Sequence, residues 1–276
     1  MNKLSNARRA QIVRALVEGN SIRASCRMTD TAKGTVLKLL VDLGRACSEY
    51  QDTTLRNLPC KRLQLDEIWS FVAVKEKNRP ERERGSYGRG DIWTWTAIDA
   101  DTKLVPSWFV GTRDGGSASV FVDDLASRLT GRVQITSDGL KVYLAAVEDA
   151  FGRDVDYAML QKLYGATPDA EIRYSPAKCI GCRREAVMGS PDPAHVSTSF
   201  VERQNLTMRM SMRRFTRLTN AFSKKVENLE AAVALHFMHY NFGRIHQTLR
   251  VTPAMEAVVA DHVWSAEEIA GLLDSK

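Results

Sequence analysis

Apolar residues recur at two different spacings along this chain, and the change of spacing divides it. Over residues 6 to 45 the interval is helical. Ile12, Leu16 and Val17 mark a first helix ended by Gly19-Asn20, and Ser21 caps a second over Ile22 to Arg27. A third helix starts near Thr31 with Val36, Leu40 and Leu43 inward. Residues 46 to 62 read as a polar linker with Pro59 near its end. From Leu63 to Val74 the pattern turns strand-like; Asp91 to Asp99 alternates as a second strand and Leu104 to Val110 gives a third. The charged stretch from Lys75 to Arg89 and the turn at Asp101-Thr102-Lys103 join them as an antiparallel meander. A helix over Ser117 to Leu129 follows, with Val120, Phe121, Leu125 and Leu129 inward. Then come a short strand ending at Asp138-Gly139, a helix from Lys141 to Phe151 and a strand over Tyr157 to Leu163.

The last third is helical again. Residues 164 to 199 contain four prolines and read as an irregular insertion. Phe200 to Phe215 is a helix with Val201, Met208, Met212 and Phe215 on one stripe and Glu202, Asn205, Arg209 and Arg213 on the next. Phe222 to Phe242 is a long helix, and short helices over Pro253 to Val259 and Ala266 to Leu273 close the chain.

Three strands, helix, strand, helix, strand, then helices is the order of an α/β fold of the ribonuclease-H-like kind. Its mixed sheet joins a three-strand antiparallel meander to parallel strands and is flanked by helices. Periodicity alone fits several mixed-sheet folds. The expected division is a helix-turn-helix DNA-binding domain over 1–46, a linker over 47–62, a catalytic domain over 63–225 with the insertion at 164–199, and a C-terminal helical extension over 226–276.

Charge sharpens that division. Lys and Arg number 39 against 33 Asp and Glu, a formal net charge of +6. Residues 1–62 hold 12 cations against 5 acids, whereas residues 63–200 hold 17 against 20. A basic appendage on a slightly acidic body is the footprint of a nucleic-acid-binding module attached to another activity. Arg23, Thr31, Lys33, Thr35 and Lys38 stand outward on the second and third helices, placed to meet bases and phosphates. No stretch of eighteen apolar residues is present, so no membrane span is expected. Five scattered cysteines, Cys26, Cys47, Cys60, Cys179 and Cys182, point to a reducing, cytoplasmic setting.

Three acids carry the candidate chemistry. Asp66 interrupts the inward row of the first strand, Asp138 ends the fourth, and Glu202 sits near the start of a late helix that is otherwise basic. On a ribonuclease-H-like sheet the three converge. Hard carboxylate oxygens suit Mg²⁺ or Mn²⁺, and a pair of such ions supports in-line phosphoryl displacement. Alternation places Glu67 on the opposite face from Asp66, and Asp99, at another strand end, reads as structural or supporting. Cys179-Ile180-Gly181-Cys182 lacks a second ligand pair, even with His195 added, so zinc is not the favoured metal. His236, His239 and His246 are better suited to packing or to a phosphate contact.

Leu65-Asp66-Glu67-Ile68-Trp69, Thr136-Ser137-Asp138-Gly139 and Phe200-Val201-Glu202-Arg203-Gln204-Asn205 resemble the three acidic motifs of DDE transposases, nearest to the small bacterial insertion-sequence enzymes. His239-Tyr240-Asn241-Phe242 and Arg244-Ile245-His246-Gln247-Thr248-Leu249, followed by Thr252-Pro253, resemble the tail of those enzymes and of the wider integrase group. The resemblance covers residues 1 to about 260. It implies that Asp66, Asp138 and Glu202 form the metal-binding catalytic triad, that Arg203, Asn205 and Arg209 lie near bound transposon-end DNA together with the neighbouring Arg213, and that two ends are paired by at least a homodimer on DNA. The cysteine-rich zinc module that some relatives carry at the N-terminus is missing, which leaves end recognition to the helix-turn-helix. Two rival readings remain at this stage: a DNA-binding regulator with an inactive remnant of the catalytic domain, and a ribonuclease-H-type nuclease without strand transfer.

Overall fold

The structure is a computed structural model and describes residues 4–83, 85, 88–165, 179–216 and 220–274. The N-terminal segment up to Thr54 is helical: α1 (Asn6–Val17), α2 (Ile22–Met28) and α3 (Lys33–Thr54). Ser5 and Ser21 accept hydrogen bonds from Arg8 N (3.3 Å) and Ala24 N (3.1 Å), capping the first two helices. Gly19 leaves α1 at φ +77°, where a Cβ would stand 2.7 Å from the carbonyl oxygen of Met210.

The body is a mixed sheet of β1 (Arg62–Val72), β2 (Gly90–Asp99), β3 (Trp108–Gly111), β4 (Val133–Ser137), β5 (Val155–Tyr164) and β6 (Cys179–Met188), in the order β3-β2-β1-β4-β5-β6. β1, β2 and β3 run antiparallel; β4 lies parallel to β1 on its other side, β5 parallel to β4, and β6 antiparallel to β5. α4 (Gly115–Arg128) and α5 (Val142–Phe151) cover one face, where Trp95 of β2 packs against Phe121 and Tyr143. α6 (Ser199–Ser211) lies against the other face beside β1. α7 (Val226–Met238) runs into a π-helical turn at His239–Gly243, and α8 (Pro253–Glu256) and α9 (Ala266–Gly271) complete the chain. No helix among the described residues is long and apolar enough to cross a membrane.

Several elements differ from the sequence expectation, each for a local reason. The stretch read as a linker over 47–62 is helical as far as Thr54. Its inward stripe is hidden because Gln51 occupies a core position. Fully buried, it donates to Ala234 O at 3.2 Å and accepts from Asn241 Nδ2 at 3.3 Å. α3 therefore packs along α7, with Gly44 against Ala231, and one core runs from Ile12 and Leu40 through Leu63 to Phe237. Residues 166–178 of the expected insertion lie outside the described residues; beyond them the chain adds β6 to the sheet edge, where its outward side chains are exposed and no apolar stripe announces it. Val120 is 53% exposed, and Ala118 and Val122 take the inward positions of α4 beside Phe121 and Leu125. The long helix expected from Phe222 starts only at Val226, and that expected to Phe215 ends at Ser211, continuing as a 3₁₀ turn, Arg213–Phe215.

Candidate metal centre

Parallel pairing of β1 with β4 brings the first two acids together. Leu65 is in register with Ser137, so the next residue on each strand, Asp66 and Asp138, stands beside the other at the end of the ladder. The third acid arrives on α6, whose start is fixed to β1. Gln64 Oε1 accepts from the backbone N–H groups of Phe200 (2.8 Å) and Val201 (3.2 Å), donors that a helix start otherwise leaves without partners. One turn of helix then carries Glu202 to the same opening. Asp66, Asp138, Glu202, Lys162 and Thr198 line an open cleft of about 510 Å³ at the ends of β4 and β5.

Each carboxylate is held. Asp66 accepts from Asn205 Nδ2 at 2.8 Å and from the backbone N–H of Glu67 at 2.9 Å. Asp138 accepts from Leu140 N at 2.9 Å. Glu202 accepts from Thr198 Oγ1 at 2.5 Å and forms an ion pair with Lys162 across the cleft. Burial, followed by repulsion from Asp138, raises the Asp66 carboxyl to about 7; Glu202 adds to the rise, while the hydrogen bonds from Glu67 N and Asn205 oppose it. Burial and mutual repulsion together thus disfavour the ionised form of Asp66.

Glu67 belongs to this charge cluster, which strand alternation alone does not reveal. Its side chain does emerge on the α4–α5 face: Arg113 binds it at 2.6 Å, Tyr143 Oη donates to it at 3.2 Å, and Arg113 in turn lies over the ring of Trp93. Yet carboxylate oxygens of Asp66, Glu67 and Asp138 all fall within 4.8 Å of one another. Alternation fixes the side on which a side chain starts, whereas these three acids are neighbours at a single point of the sheet, close enough for their tips to meet. Burial and the charges of Asp138 and Asp66 raise Glu67 to about 7 against the opposing Arg113.

The donor set fits a hard divalent cation. It consists of carboxylate oxygens gathered within 4.8 Å of one another, and Asp66 and Asp138 open to solvent through the cleft. A buried acceptor without a partner, Asn205 Oδ1, adjoins it. The available ligands are not equivalent. The Glu67 side chain is 1% exposed and engaged by Arg113 and Tyr143, whereas Glu202 faces the cleft and is restrained by a partly exposed lysine.

The remaining residues singled out by sequence are dispersed. Arg23, Lys33, Thr35 and Lys38 are exposed on α2 and the first turns of α3, with Lys38 paired to Asp42 at 2.6 Å, and Thr31 is half-buried and donates to Thr29 O at 2.9 Å. Arg203 is exposed on the flank of α6 away from the carboxylates, Arg209 is half-buried, and Arg213 is exposed beyond the helix. Asn205 is 5% exposed, and its amide is committed to Asp66. Asp99 binds the backbone N–H groups of Asp101 and Thr102 and the Thr102 hydroxyl, holding the turn after β2. His195 contacts Arg62, His236 is buried beside Gln204, and Cys179 and Cys182 are exposed on β6. Sequence reasoning missed Gln64, Arg113, Tyr143 and Lys162. Gln64 alone left a signal, a polar residue on an inward strand position two before Asp66.

No protein-family model and no curated protein sequence matches the chain. Among solved structures, a likeness is found to the piggyBac transposase synaptic complex with hairpin DNA, determined by cryo-EM. It has 12% sequence identity and a TM-score of 0.30, and covers 78% of this chain and 52% of that one. The chain thus spans about half the length of the transposase chain it matches.

Proposed function

We propose that this chain is a DNA transposase of the DDE type, similar to small bacterial insertion-sequence enzymes. It would bind the terminal inverted repeats of its own element, cleave DNA at the ends, and join the freed 3′-hydroxyl to target DNA. The observation that carries the reading is that Asp66, Asp138 and Glu202, from two parallel strands and a later helix, line one solvent-open cleft, Glu202 lying outside the tight group that Asp66 and Asp138 form with Glu67. The strand order β3-β2-β1-β4-β5 supports the ribonuclease-H-like assignment of the sheet. The turn between α2 and α3, with Arg23, Lys33, Thr35 and Lys38 exposed around it, supports a helix-turn-helix.

In this reading Asp66, Asp138 and Glu202 hold Mg²⁺ or Mn²⁺, two ions in the complete site. Bound there, divalent ions supply a polarised water or 3′-hydroxyl nucleophile and offset charge on the leaving oxygen. The protein's own residues set up that site. Gln64 fixes the start of α6 and so the position of Glu202. Asn205 orients Asp66. Lys162 pairs with Glu202, and a cation held by Glu202 would compete with that lysine. Glu67, held by Arg113 and Tyr143, brings a further carboxylate oxygen to within 4.8 Å of those of Asp66 and Asp138. Arg23, Thr31, Lys33, Thr35 and Lys38 contact the end sequence, and Arg203, Arg209 and Arg213 contact DNA nearer the cleft. Asn205 reaches that DNA only through Asp66. Pairing of two ends requires a homodimer or higher assembly on DNA, and the setting is the bacterial cytoplasm, at the nucleoid.

The test is strand transfer on a labelled duplex carrying the element's own end, with Mg²⁺ or Mn²⁺, for wild type beside Asp66→Ala, Asp138→Ala and Glu202→Ala. Joining by wild type, and loss in all three variants with DNA binding retained, is the expected result. Binding without cutting in either metal would leave the regulator as the better reading.

A further inference from the structure

α6 has a second working flank. On the side turned away from the carboxylates, Lys103, Arg203, Arg244 and His246 converge on a cleft of about 360 Å³ whose apolar wall is Ile98, Phe200, Tyr240 and Ile245. A second cleft continues it along the same helix and shares Arg203, Thr207, Arg244 and Ile245, so the two form one groove from Phe200 to Met210. The ten helical steps from Phe200 to Met210 rise about 15 Å, the axial rise of about four nucleotides of one strand.

Two cations of this groove are uncommitted, and a third, Lys103, donates to the carbonyl oxygens of Ala100 and Asp101 at its edge. Among the described residues, neither the Arg203 nor the Arg244 guanidinium makes a hydrogen bond or ion pair, unlike Arg113, Arg128 and Arg132, each of which is tied to a carboxylate. Lys103 is placed with care. Its backbone sits at φ +62°, a region that lysine seldom adopts, and Tyr240 donates to its carbonyl oxygen at 3.0 Å. Its ammonium lies 3.6 Å from the centre of the Phe200 ring, at the mouth of the groove. Lys103, Arg244 and Arg203 all oppose a proton on His246, which burial already disfavours. Glu18 is the acid at the distal end, beside His239, and among the described residues no acid lines the half that holds Lys103 and His246. Uncommitted guanidiniums over an apolar wall match a phosphodiester strand, with phosphates on the cations and sugars against Phe200 and Ile245.

We propose that this groove binds the phosphate backbone of a DNA strand, so that α6 carries DNA on one flank and the carboxylates on the other. The assignment rests on the reading of the chain as a DNA enzyme, and it is tested by binding alone, in EDTA. Anisotropy of a labelled duplex is followed against salt for wild type, Arg203→Ala/Arg244→Ala, and Arg153→Ala, whose side chain is exposed and lines no part of the groove. Circular dichroism confirms that each variant is folded. The double variant is expected to bind about tenfold or more weakly at low salt, with a log–log salt slope shallower by about two, and Arg153→Ala to match wild type. Equal affinity and slope in wild type and double variant would overturn the groove and leave the functional reading standing. A wild type that binds no duplex would overturn both. Inorganic pyrophosphate is titrated in parallel. Its displacement of the duplex only at large excess is expected, whereas tight pyrophosphate binding without duplex binding would make this a small-anion site and overturn the proposal.

Discussion

Asn205 donates its side-chain amide to Asp66 Oδ2 at 2.8 Å while its own Oδ1 lies buried without a partner. The residue is held in an orientation that leaves one of its polar atoms unsatisfied, and what it gains is a fixed Asp66. Asn205→Ala removes a hydrogen bond to an ionisable carboxylate and also the orphaned acceptor, so the two effects partly cancel in stability: a change of about 1 kcal/mol or less in urea unfolding is expected. The function should respond more. Without the amide, the Asp66 carboxyl rises further above about 7, and half-maximal Mn²⁺ binding, read by calorimetry, moves to higher pH. An unchanged pH profile would remove Asn205 from the site.

Asp66 and Glu67 are both held near 7, well above their ordinary values of 3.8 and 4.5. Between about 4 and 7 the folded chain therefore binds more protons than the unfolded one, and the metal-free protein loses stability as pH rises through that window. At about 1.4 kcal/mol per pH unit, the two raised carboxyls together set an upper size of roughly 8 kcal/mol on that loss. Mg²⁺ should offset it, so the difference in melting temperature between Mg²⁺ and EDTA should widen from about pH 5 to about pH 8. A constant difference would separate the acids from metal binding.

Glu67 and Glu202 are to be told apart by conservative changes. Glu202→Gln should abolish strand transfer with little change in stability, because its side chain is 39% exposed. Glu67→Gln should keep measurable activity and, by removing a carboxyl held near 7, make the loss of stability with rising pH in EDTA shallower. The reverse pattern would exchange their roles.

Lys162 neutralises Glu202 in the metal-free protein. Lys162→Met should therefore tighten Mn²⁺ binding, by about two- to fivefold given that both partners are about a third exposed. Weaker binding would mean that the lysine supports the metal site instead of competing with it.

The contact of α3 with α7 is tested at Gly44, where an added Cβ would lie 2.3 Å from Ala231 Cα. Gly44→Ala should cost about 1–3 kcal/mol by forcing the helices apart, measured by thermal or urea unfolding. A neutral result would show that the two helices have room to shift.

The sheet and the place of its acids were legible because strands with one buried face alternate, and because Asp138-Gly139 follows a short strand with Val133 and Ile135 on its inward row. The stripe Val201, Met208, Met212 and Phe215 was legible for the matching helical reason, and all four are buried. What stayed hidden depended on contacts between distant segments. Gln51 looks like a surface residue until Ala234 and Asn241 are brought to it. Asn205 looks like a face of α6 open to DNA until β1 supplies Asp66. Glu67 was set aside by alternation, a rule about where side chains begin that is silent on where three neighbouring carboxylates end.

The continuity of α3 has a geometric consequence. Its 22 residues form a rod of about 33 Å that starts at Lys33 and lies against α7 at Gly44. Such a rod has phase as well as length: one residue inserted ahead of Gly44 would turn everything before it by about 100° around the axis. Whatever the first turn of α3 meets is thus presented to the sheet at one distance and one angle. The chain has, in effect, a gauge with a single setting between its N-terminal helices and its carboxylates.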